Sequence, residues 1–218
     1  MQPPAPTPLV IASGNAGKVA EFAALLADLP LQVRPQPAGL EVEETGLTFA
    51  ENARLKARAV ALATGCWALA DDSGLAVEAL GGAPGVQSAR YAASDPERIA
   101  RLLRELEAAL AALPQVSAPL TPAAGLEPIP SPRAARFTAA LALADPAGVI
   151  RLEVEGHCPG EILEEPRGAG GFGYDPVFLV PELGLSFAEM DKATKARIGH
   201  RGRAFALLAP RLRQLLAG

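Results

Sequence analysis

The chain has 218 residues, of which 50% are hydrophobic, and it carries a formal net charge of −4 at pH 7. A chain of this length can bury a sizeable core in one large domain or in two small lobes. Its acidic balance excludes a basic surface for long DNA or RNA, so we expect no nucleic acid polymer as a partner, whereas a single nucleotide is compatible.

Export and membrane insertion are not expected. The first six residues contain no basic residue and no apolar run, and no later stretch is long and apolar enough to cross a bilayer. The two cysteines, Cys66 and Cys158, are too few for a disulfide framework and lack the spacing of a metal site. We therefore expect a cytoplasmic protein with no membrane partner.

The first predicted elements are a strand, a polar loop and a helix. Leu9 to Ala12 is a short apolar run, and beyond Lys18 the apolar residues recur at helical spacing. The loop from Ser13 to Lys18 thus precedes a helix N-terminus, where backbone N–H groups and the helix dipole favour phosphate. Asn15 offers a side-chain amide and Lys18 a positive charge. So short a motif is equally compatible with an ordinary glycine-containing turn.

This loop does not match a Walker motif. Gly14 and Gly17 are too close together, and Val19 stands where Ser or Thr would hold magnesium. The metal that a triphosphate requires must therefore be held elsewhere, by acidic residues. The candidates are Glu43, Glu44, Asp71 and Asp72.

A second strand is predicted from Leu31 to Arg34, before a helix that a capping box of Thr48 and Glu51 opens towards Thr64. The next strand is predicted from Cys66 to Ala70.

We expect this third strand to stop at Asp71-Asp72-Ser73-Gly74. Neighbouring strand residues point to opposite faces, so only one of Asp71 and Asp72 should face a substrate, and the spacing leaves open which one. A solvated turn is the alternative for this segment, and a solvated charge pair is the alternative for Glu43 and Glu44.

The middle of the chain predicts a helix, an insertion and a hairpin. Ser94 and Glu97 form a capping box before an amphipathic helix that runs to about Leu113. Residues 114–133 are rich in proline and indicate an extended surface insertion. Two strands, Phe137 to Ala144 and Val149 to Glu155, then predict a hairpin with one buried face.

A glycine-rich loop, residues 168–176, is predicted to be tight and functional, and its Phe172 or Tyr174 could stack on a nucleobase. Core packing is the alternative for these aromatic residues. Ser186 and Glu189 predict the cap of a short helix, and a final helix should run from about His200 through Leu215. The donors between 191 and 201 could read a base edge or bind phosphate, or form a solvated basic surface.

Seven short motifs occur in one order along nearly the whole chain. They are Ser-Gly-Asn-Ala-Gly-Lys at 13–18, Glu-Thr-Gly-Leu-Thr-Phe-Ala-Glu-Asn-Ala at 44–53, Ala-Asp-Asp-Ser-Gly-Leu-Ala-Val at 70–77, Gly-Gly-Ala-Pro-Gly-Val at 81–86, Ser-Ala-Arg-Tyr at 88–91, Gly-Gly-Phe-Gly-Tyr-Asp-Pro at 170–176 and His-Arg-Gly at 200–202. Together they closely resemble the inosine/xanthosine triphosphate pyrophosphatase family. Chance agreement of so many ordered motifs is negligible. The departures, an N-terminal extension at 1–7 and the insertion at 114–133, touch none of the motifs.

The resemblance implies an α/β fold with an elongated mixed central sheet and flanking helices, in which two lobes enclose a nucleotide cleft. It implies that residues 1–218 form one two-lobed domain and that the protein is a homodimer. It also implies a reaction in which a purine nucleoside triphosphate such as dITP, ITP or XTP and water give the monophosphate and pyrophosphate, with Mg²⁺ as the cofactor.

The resemblance also assigns roles to residues. Glu44 and Asp72 would hold Mg²⁺, and Asp72 would act as the general base. Whether Glu43 or Asp71 assists the metal is left open. The residues that would contact the substrate are Ser13, Gly14, Asn15, Ala16, Gly17 and Lys18 at the triphosphate, then Ser73, the base-pocket residues Phe172, Gly173, Tyr174 and Asp175, and finally Lys195, His200 and Arg201.

Two other functions stay in view. One is a nucleotide pyrophosphatase of related fold that acts on modified pyrimidine nucleotides. The other is a nucleotide sensor without turnover, which the presence of Lys18, Glu44 and Asp72 together argues against.

Overall fold

The structure is a computed structural model that describes residues 6–113 and 131–217. Within them, seven strands form one sheet in the order β2-β1-β3-β4-β5-β6-β7. β1 pairs in parallel with β2 and β3, whereas β6 pairs antiparallel with β5 and β7. The expected mixed α/β fold is therefore confirmed. The strands are β1 (Thr7–Ile11), β2 (Leu31–Pro35), β3 (Trp67–Val77), β4 (Ala134–Ala144), β5 (Ile150–Ile162), β6 (Phe178–Val180) and β7 (Leu185–Ser186).

Five α-helices accompany the sheet in the described ranges. They are α1 (Ala16–Leu25), α2 (Phe49–Thr64), α3 (Asp95–Ala111), α4 (Lys192–Ile198) and α5 (His200–Ala217). Both predicted capping boxes are present, with the Thr48 side chain accepting from the N–H of Glu51 and the Ser94 side chain from that of Glu97. None of the helices in these ranges is long and apolar enough to span a membrane.

The two predicted departures from the family pattern, the N-terminal extension and the insertion, lie mostly outside the described residues. Positions 1–5 of the extension and positions 114–130 of the insertion are not described. The ends that are described lead directly into strands: Thr7 opens β1, and the turn at 131–133 precedes β4.

The chain divides into two compact units. The first comprises the described residues of Met1–Ser73, Thr138–His157 and Ile198–Gly218. The second comprises those of Gly74–Phe137 and Cys158–Arg197.

The core of the first unit lies on both sides of β4. Ala139, Leu141 and Leu143 belong to a cluster that includes residues of α1 and α5. The intervening alanines, such as Ala140 and Ala142, belong to a second cluster with α2. The expectation of one buried face therefore holds for β5 but is wrong for β4, because helices cover both faces of β4 and leave no solvated side.

The helix predicted behind Ser186 is absent. Ser186 and Glu189 do exchange the expected capping hydrogen bonds, but Phe187, Ala188 and Glu189 form a turn. The N–H groups of Phe187 and Ala188 bond to Phe178 and Asp175, so they are committed to neighbouring segments instead of a helix. The short helix of this region is α4, which begins at Lys192. Oδ1 of the preceding residue, Asp191, accepts the N–H of Thr194 in the first turn of this helix.

Candidate active site

The acidic pair lies within a strand and not at its end. β3 continues from Trp67 to Val77, so the predicted stop at Asp71-Asp72-Ser73-Gly74 is wrong. Asp71 is 2% exposed and Asp72 is 8% exposed, which also excludes a solvated turn. Buried carboxylates are tolerated only when they are paired. The cations that pair with them come from three different helices, and the spacing of the acidic residues gave no sign of these partners.

Asp71 is paired with two cations. Its Oδ2 lies 2.7 Å from Nζ of Lys18 on α1 and 3.2 Å from Nε of Arg201 on α5. Arg201 also donates from Nη2 to Oγ of Ser73 over 2.8 Å. Burial alone would raise the pKa of Asp71, but Lys18 and Arg201 outweigh burial and hold this pKa well below its usual range. Asp71 is therefore a fixed negative charge.

Asp72 has a different partner. Nζ of Lys56 on α2 lies 2.7 Å from Oδ1 of Asp72 and 2.8 Å from Oε1 of Glu44, and it donates to the main-chain oxygen of Asp71 over 3.0 Å. Burial raises the pKa of Asp72 above its usual value, although Lys56 opposes this, and nearby Glu44 adds to the rise. The two neighbours in β3 thus have opposite pKa shifts.

These six side chains, which we call the charged cluster, belong to the first unit: Lys18, Glu44, Lys56, Asp71, Asp72 and Arg201. The prediction that Asp71 and Asp72 face different ways is confirmed by their separate partners. Glu44 and Asp72 are brought together on one ammonium group. Within residues 6–113 and 131–217, no group of three or more His, Cys, Asp or Glu side chains is arranged to hold a metal ion.

Lys56 escaped prediction from the sequence, although a signal for it existed. Asn52 is fully buried and its Oδ1 accepts the N–H of Gly46 over 2.8 Å, which ties α2 to the segment that carries Glu44. Lys56 lies four residues after Asn52 and therefore on the same face of α2. In the sequence, the pattern that could have revealed Lys56 is an Asn and a Lys four residues apart, in line with the apolar residues of the predicted helix.

The loop at residues 13–18 adopts the predicted strand-loop-helix arrangement. The side chain of Asn15, which was expected to be offered to phosphate, instead caps the helix. Its Oδ1 caps α1 by accepting the N–H of Gly17 at 2.8 Å and of Lys18 at 3.1 Å, and its own N–H bonds to Oγ of Ser13. These bonds do not involve the N–H groups of Gly14 or Ala16. The loop is therefore pre-shaped by its own cap, and its side-chain charge comes from Lys18.

The glycine-rich loop lies in the second unit and is held by turns. Asp175 is 4% exposed, and its Oδ2 accepts the N–H of Phe172 over 2.8 Å and contacts Nζ of Lys195. A Cβ on Gly171 would lie 2.0 Å from that same oxygen, so a larger residue there would displace the Asp175 carboxylate. Asp175 and Lys195 thus form an ion pair that stabilises the loop.

The two aromatic residues of this loop have different environments. Tyr174 is 4% exposed and donates its hydroxyl to the main-chain oxygen of Ser88 over 2.9 Å, so core packing is its main role. Phe172 is 46% exposed. Of the two candidates for stacking on a base, Phe172 is the one with an accessible ring.

The predicted site residues are divided between the units. The first unit contains the Ser13–Lys18 loop, Glu44, Asp72, Ser73, His200 and Arg201, and the second contains Phe172, Gly173, Tyr174, Asp175 and Lys195. His200 and Arg201 are buried, and Arg201 bonds to Asp71 and Ser73.

Comparison with known proteins gives concordant matches over nearly the whole chain. Residues 9–211 match the Ham1 family. The chain is 60% identical over 208 residues to a dITP/XTP pyrophosphatase of Synechococcus sp. (strain CC9311), covering 95% of this chain and 91% of that protein. It is 56% identical over 209 residues to a dITP/XTP pyrophosphatase of Parasynechococcus marenigrum (strain WH8102), covering 96% of each. A solved HAM1 protein from Coxiella burnetii has a TM-score of 0.80 and 42% identity, covering 95% of this chain and 99% of that one.

Proposed function

The chain belongs to the Ham1 family, and on that premise we propose that it is a hydrolase that cleaves pyrophosphate from non-standard purine nucleoside triphosphates. It converts dITP, ITP and XTP to the monophosphates and so removes them from the nucleotide pool. The names of relatives at 60% and 56% identity support this substrate class. The observation in the molecule that carries the proposal is that Glu44 and Asp72 share one cation beside the Lys18–Asp71–Arg201 group.

Glu44 and Asp72 are proposed to hold Mg²⁺. Three oxygens, two from carboxylates and one from a carbonyl, already surround Nζ of Lys56 at 2.7–3.0 Å. Such oxygens are the ligands that Mg²⁺ prefers. The ammonium group of Lys56 occupies them here, so Mg²⁺ would have to displace it from Glu44 and Asp72. When bound, Mg²⁺ offsets the charge of the triphosphate and polarises its oxygens.

The Ser13–Lys18 loop is proposed to grip the triphosphate. Lys18 supplies a charge for phosphate oxygens, and the N-terminus of α1 adds the positive end of its dipole. Arg201 lies against Asp71 and Ser73 in the same unit, which favours a role near the phosphates over reading a base edge. Ser73 and His200 are proposed to contact the substrate from this side as well.

Asp72 is the proposed general base. A base works best when its pKa approaches the working pH, and the pKa of Asp72 is raised whereas that of Asp71 is lowered. Asp72 accepts a proton from water as the water oxygen attacks the α-phosphorus. The bond between the α-phosphorus and the bridging oxygen breaks, and pyrophosphate leaves with that oxygen.

The base pocket is proposed to lie at the glycine-rich loop. Stacking of a base on Phe172 would contribute about 1–3 kcal/mol whatever the base. Hypoxanthine and xanthine carry an acceptor at position 6 where adenine carries an amino donor, so N–H donors of the loop or of Lys195 would favour the first two. Guanine also has a 6-oxo group, so its rejection requires contacts around position 2.

The decisive experiment is a substrate panel with magnesium. Initial rates on dITP, XTP, dGTP and dUTP are compared, and both pyrophosphate and orthophosphate are measured. We expect dITP and XTP to be preferred and pyrophosphate to be the product. Orthophosphate would redirect the mechanism to cleavage of the γ-phosphate, and a preference for dUTP would favour the pyrimidine alternative. Tight ITP binding without pyrophosphate release would favour a sensor.

We also propose that the protein is a cytoplasmic homodimer that forms one two-lobed domain per chain. The family resemblance supports the dimer, and the small number of cysteines supports a reducing compartment. Light scattering after size exclusion should give the mass of two chains, and the mass of one chain would overturn the dimer.

A further inference from the structure

The glycine-rich loop is tied to one distant segment of the second unit. Tyr174 donates its hydroxyl to the main-chain oxygen of Ser88 over 2.9 Å. One residue earlier, the N–H of Gly173 donates to Oδ2 of Asp95 over 2.7 Å. Ser88 precedes Tyr174 by 86 positions and Asp95 precedes Gly173 by 78, so neither contact is local. Of the two anchors, only Asp95 acts through a side chain that can be changed without altering the loop itself.

The N–H of Gly173 is a sensitive point of the loop. Gly173 has a φ of +62°, a conformation that residues with a Cβ rarely adopt. It lies between the exposed ring of Phe172 and the buried ring of Tyr174, so rotation of its peptide planes moves Phe172 relative to the anchored Tyr174. A charge-assisted hydrogen bond at this N–H therefore restricts the direction of the Phe172 ring.

Asp95 is itself held in place. It is the first residue of α3, and Nη1 of Arg98, one helical turn further on, contacts its other oxygen, Oδ1. Arg98 also donates from Nε to the main-chain oxygen of Ala92 over 3.1 Å. The carboxylate thus has one oxygen fixed by the helix and the other directed at the loop.

We propose that Asp95 is a positioning residue for purine binding: through the N–H of Gly173 it fixes the direction in which Phe172 is presented to the base. The proposal rests on the proposed function, because it assumes that the glycine-rich loop receives the purine. Asp95 itself contacts no substrate.

The test compares Asp95→Ala with Glu97→Ala. Both substitutions remove an acidic side chain from the first turn of α3, but Glu97 accepts the N–H of Ser94, whereas Asp95 accepts the N–H of Gly173 in the loop. For Asp95→Ala we expect KM for dITP to rise about tenfold, in line with a partly exposed charge-assisted hydrogen bond, with little change in kcat. Glu97→Ala should lower Tm and leave KM unchanged. Asp95→Asn retains an acceptor oxygen and should restore part of the affinity.

A second measurement does not depend on turnover. Hydrogen exchange at the Gly173 amide, measured without nucleotide, should become faster in Asp95→Ala and not in Glu97→Ala. Equal exchange and equal KM in the two variants would overturn the proposal, as would faster exchange with unchanged KM. If the unmodified protein releases no pyrophosphate from dITP, the proposed function fails, while the exchange data still report separately on the anchor.

Discussion

The charged cluster of the first unit and the glycine-rich loop of the second hold their side chains by different means. The charged cluster places all of its groups except Glu44 on helices and strands, where opposite charges compensate one another in nearly buried positions. The loop relies on left-handed glycines and single hydrogen bonds to fix one exposed ring. A substitution in the cluster should therefore affect stability or chemistry, whereas one in the loop should affect mainly nucleotide affinity.

The largest effect is expected from Asp72→Asn. This change removes the general base and one proposed metal ligand, so kcat should fall by about 10⁴-fold, the upper end for the loss of one base. The fold should persist, because Asn can still accept a hydrogen bond from Lys56. The release of pyrophosphate from dITP measures kcat, and circular dichroism checks the fold.

Asp28→Asn is the matched control, since Asp28 is exposed and undergoes the same chemical change. It should retain full activity. Turnover by Asp72→Asn close to that of the unmodified protein would remove Asp72 from the mechanism and leave the charged cluster without an assigned base.

Asp71→Asn should mainly lower stability. Neutralising Asp71 leaves Lys18 and Arg201 with less compensation, and breaking a buried ion pair in this way costs about 3 kcal/mol. Urea unfolding at pH 7 measures this loss, and Asp28→Asn should change stability by less than about 0.5 kcal/mol.

The stability lost in Asp71→Asn should depend on pH, because the folded and unfolded states differ in the pKa of Asp71. Because the pKa of Asp71 is lowered in the folded state, its contribution is fully present above the unfolded pKa of about 3.9 and declines as the pH falls further. The difference between Asp71→Asn and the unmodified protein should therefore be constant near neutral pH and shrink in acid below about pH 4. A difference that grew in acid would contradict the ion-pair explanation.

In both regions the sequence predicted local features better than contacts between distant residues. Asp71 and Asp72 were found because they directly follow an apolar run, whereas Glu44 was one of several acidic candidates until the family resemblance assigned it to the metal. The helix caps at Thr48 and Ser94 followed from local spacing. These features depend on residues close together in the chain.

Features that depend on distant partners were missed. The continuation of β3 through two carboxylates became acceptable only because Lys18, Lys56 and Arg201 reach them from three helices. The anchoring of Gly173 by Asp95 joins residues 78 positions apart, and no periodicity in a single sequence reports such a pairing.

Gly173→Ala tests whether the shape of the loop sets affinity. An L-residue with a positive φ costs about 1–2 kcal/mol, and a change of 1.4 kcal/mol corresponds to tenfold in affinity. We expect KM for dITP to rise about tenfold with little change in kcat. Gly184→Ala is a close control, because Gly184 has a φ of +65° against +62° at Gly173, and neither position has an atom within 4 Å of an added Cβ. An equal rise in KM for both variants would attribute the effect to general strain.

The smallest effects concern the titration of Asp72 in the metal-free protein, because burial and Lys56 act on its pKa in opposite directions. Carbon-13 NMR of the carboxyl groups should show Asp72 taking up its proton at a higher pH than an ordinary aspartate. Lys56→Gln removes the cation that lowers this pKa, so the pKa should rise further. Glu44→Gln removes a nearby negative charge that raises it, so the pKa should fall. If both variants shifted the pKa of Asp72 in the same direction, a change in the burial of Asp72 would explain the result. The charges of Lys56 and Glu44 would then not determine the pKa of the proposed base.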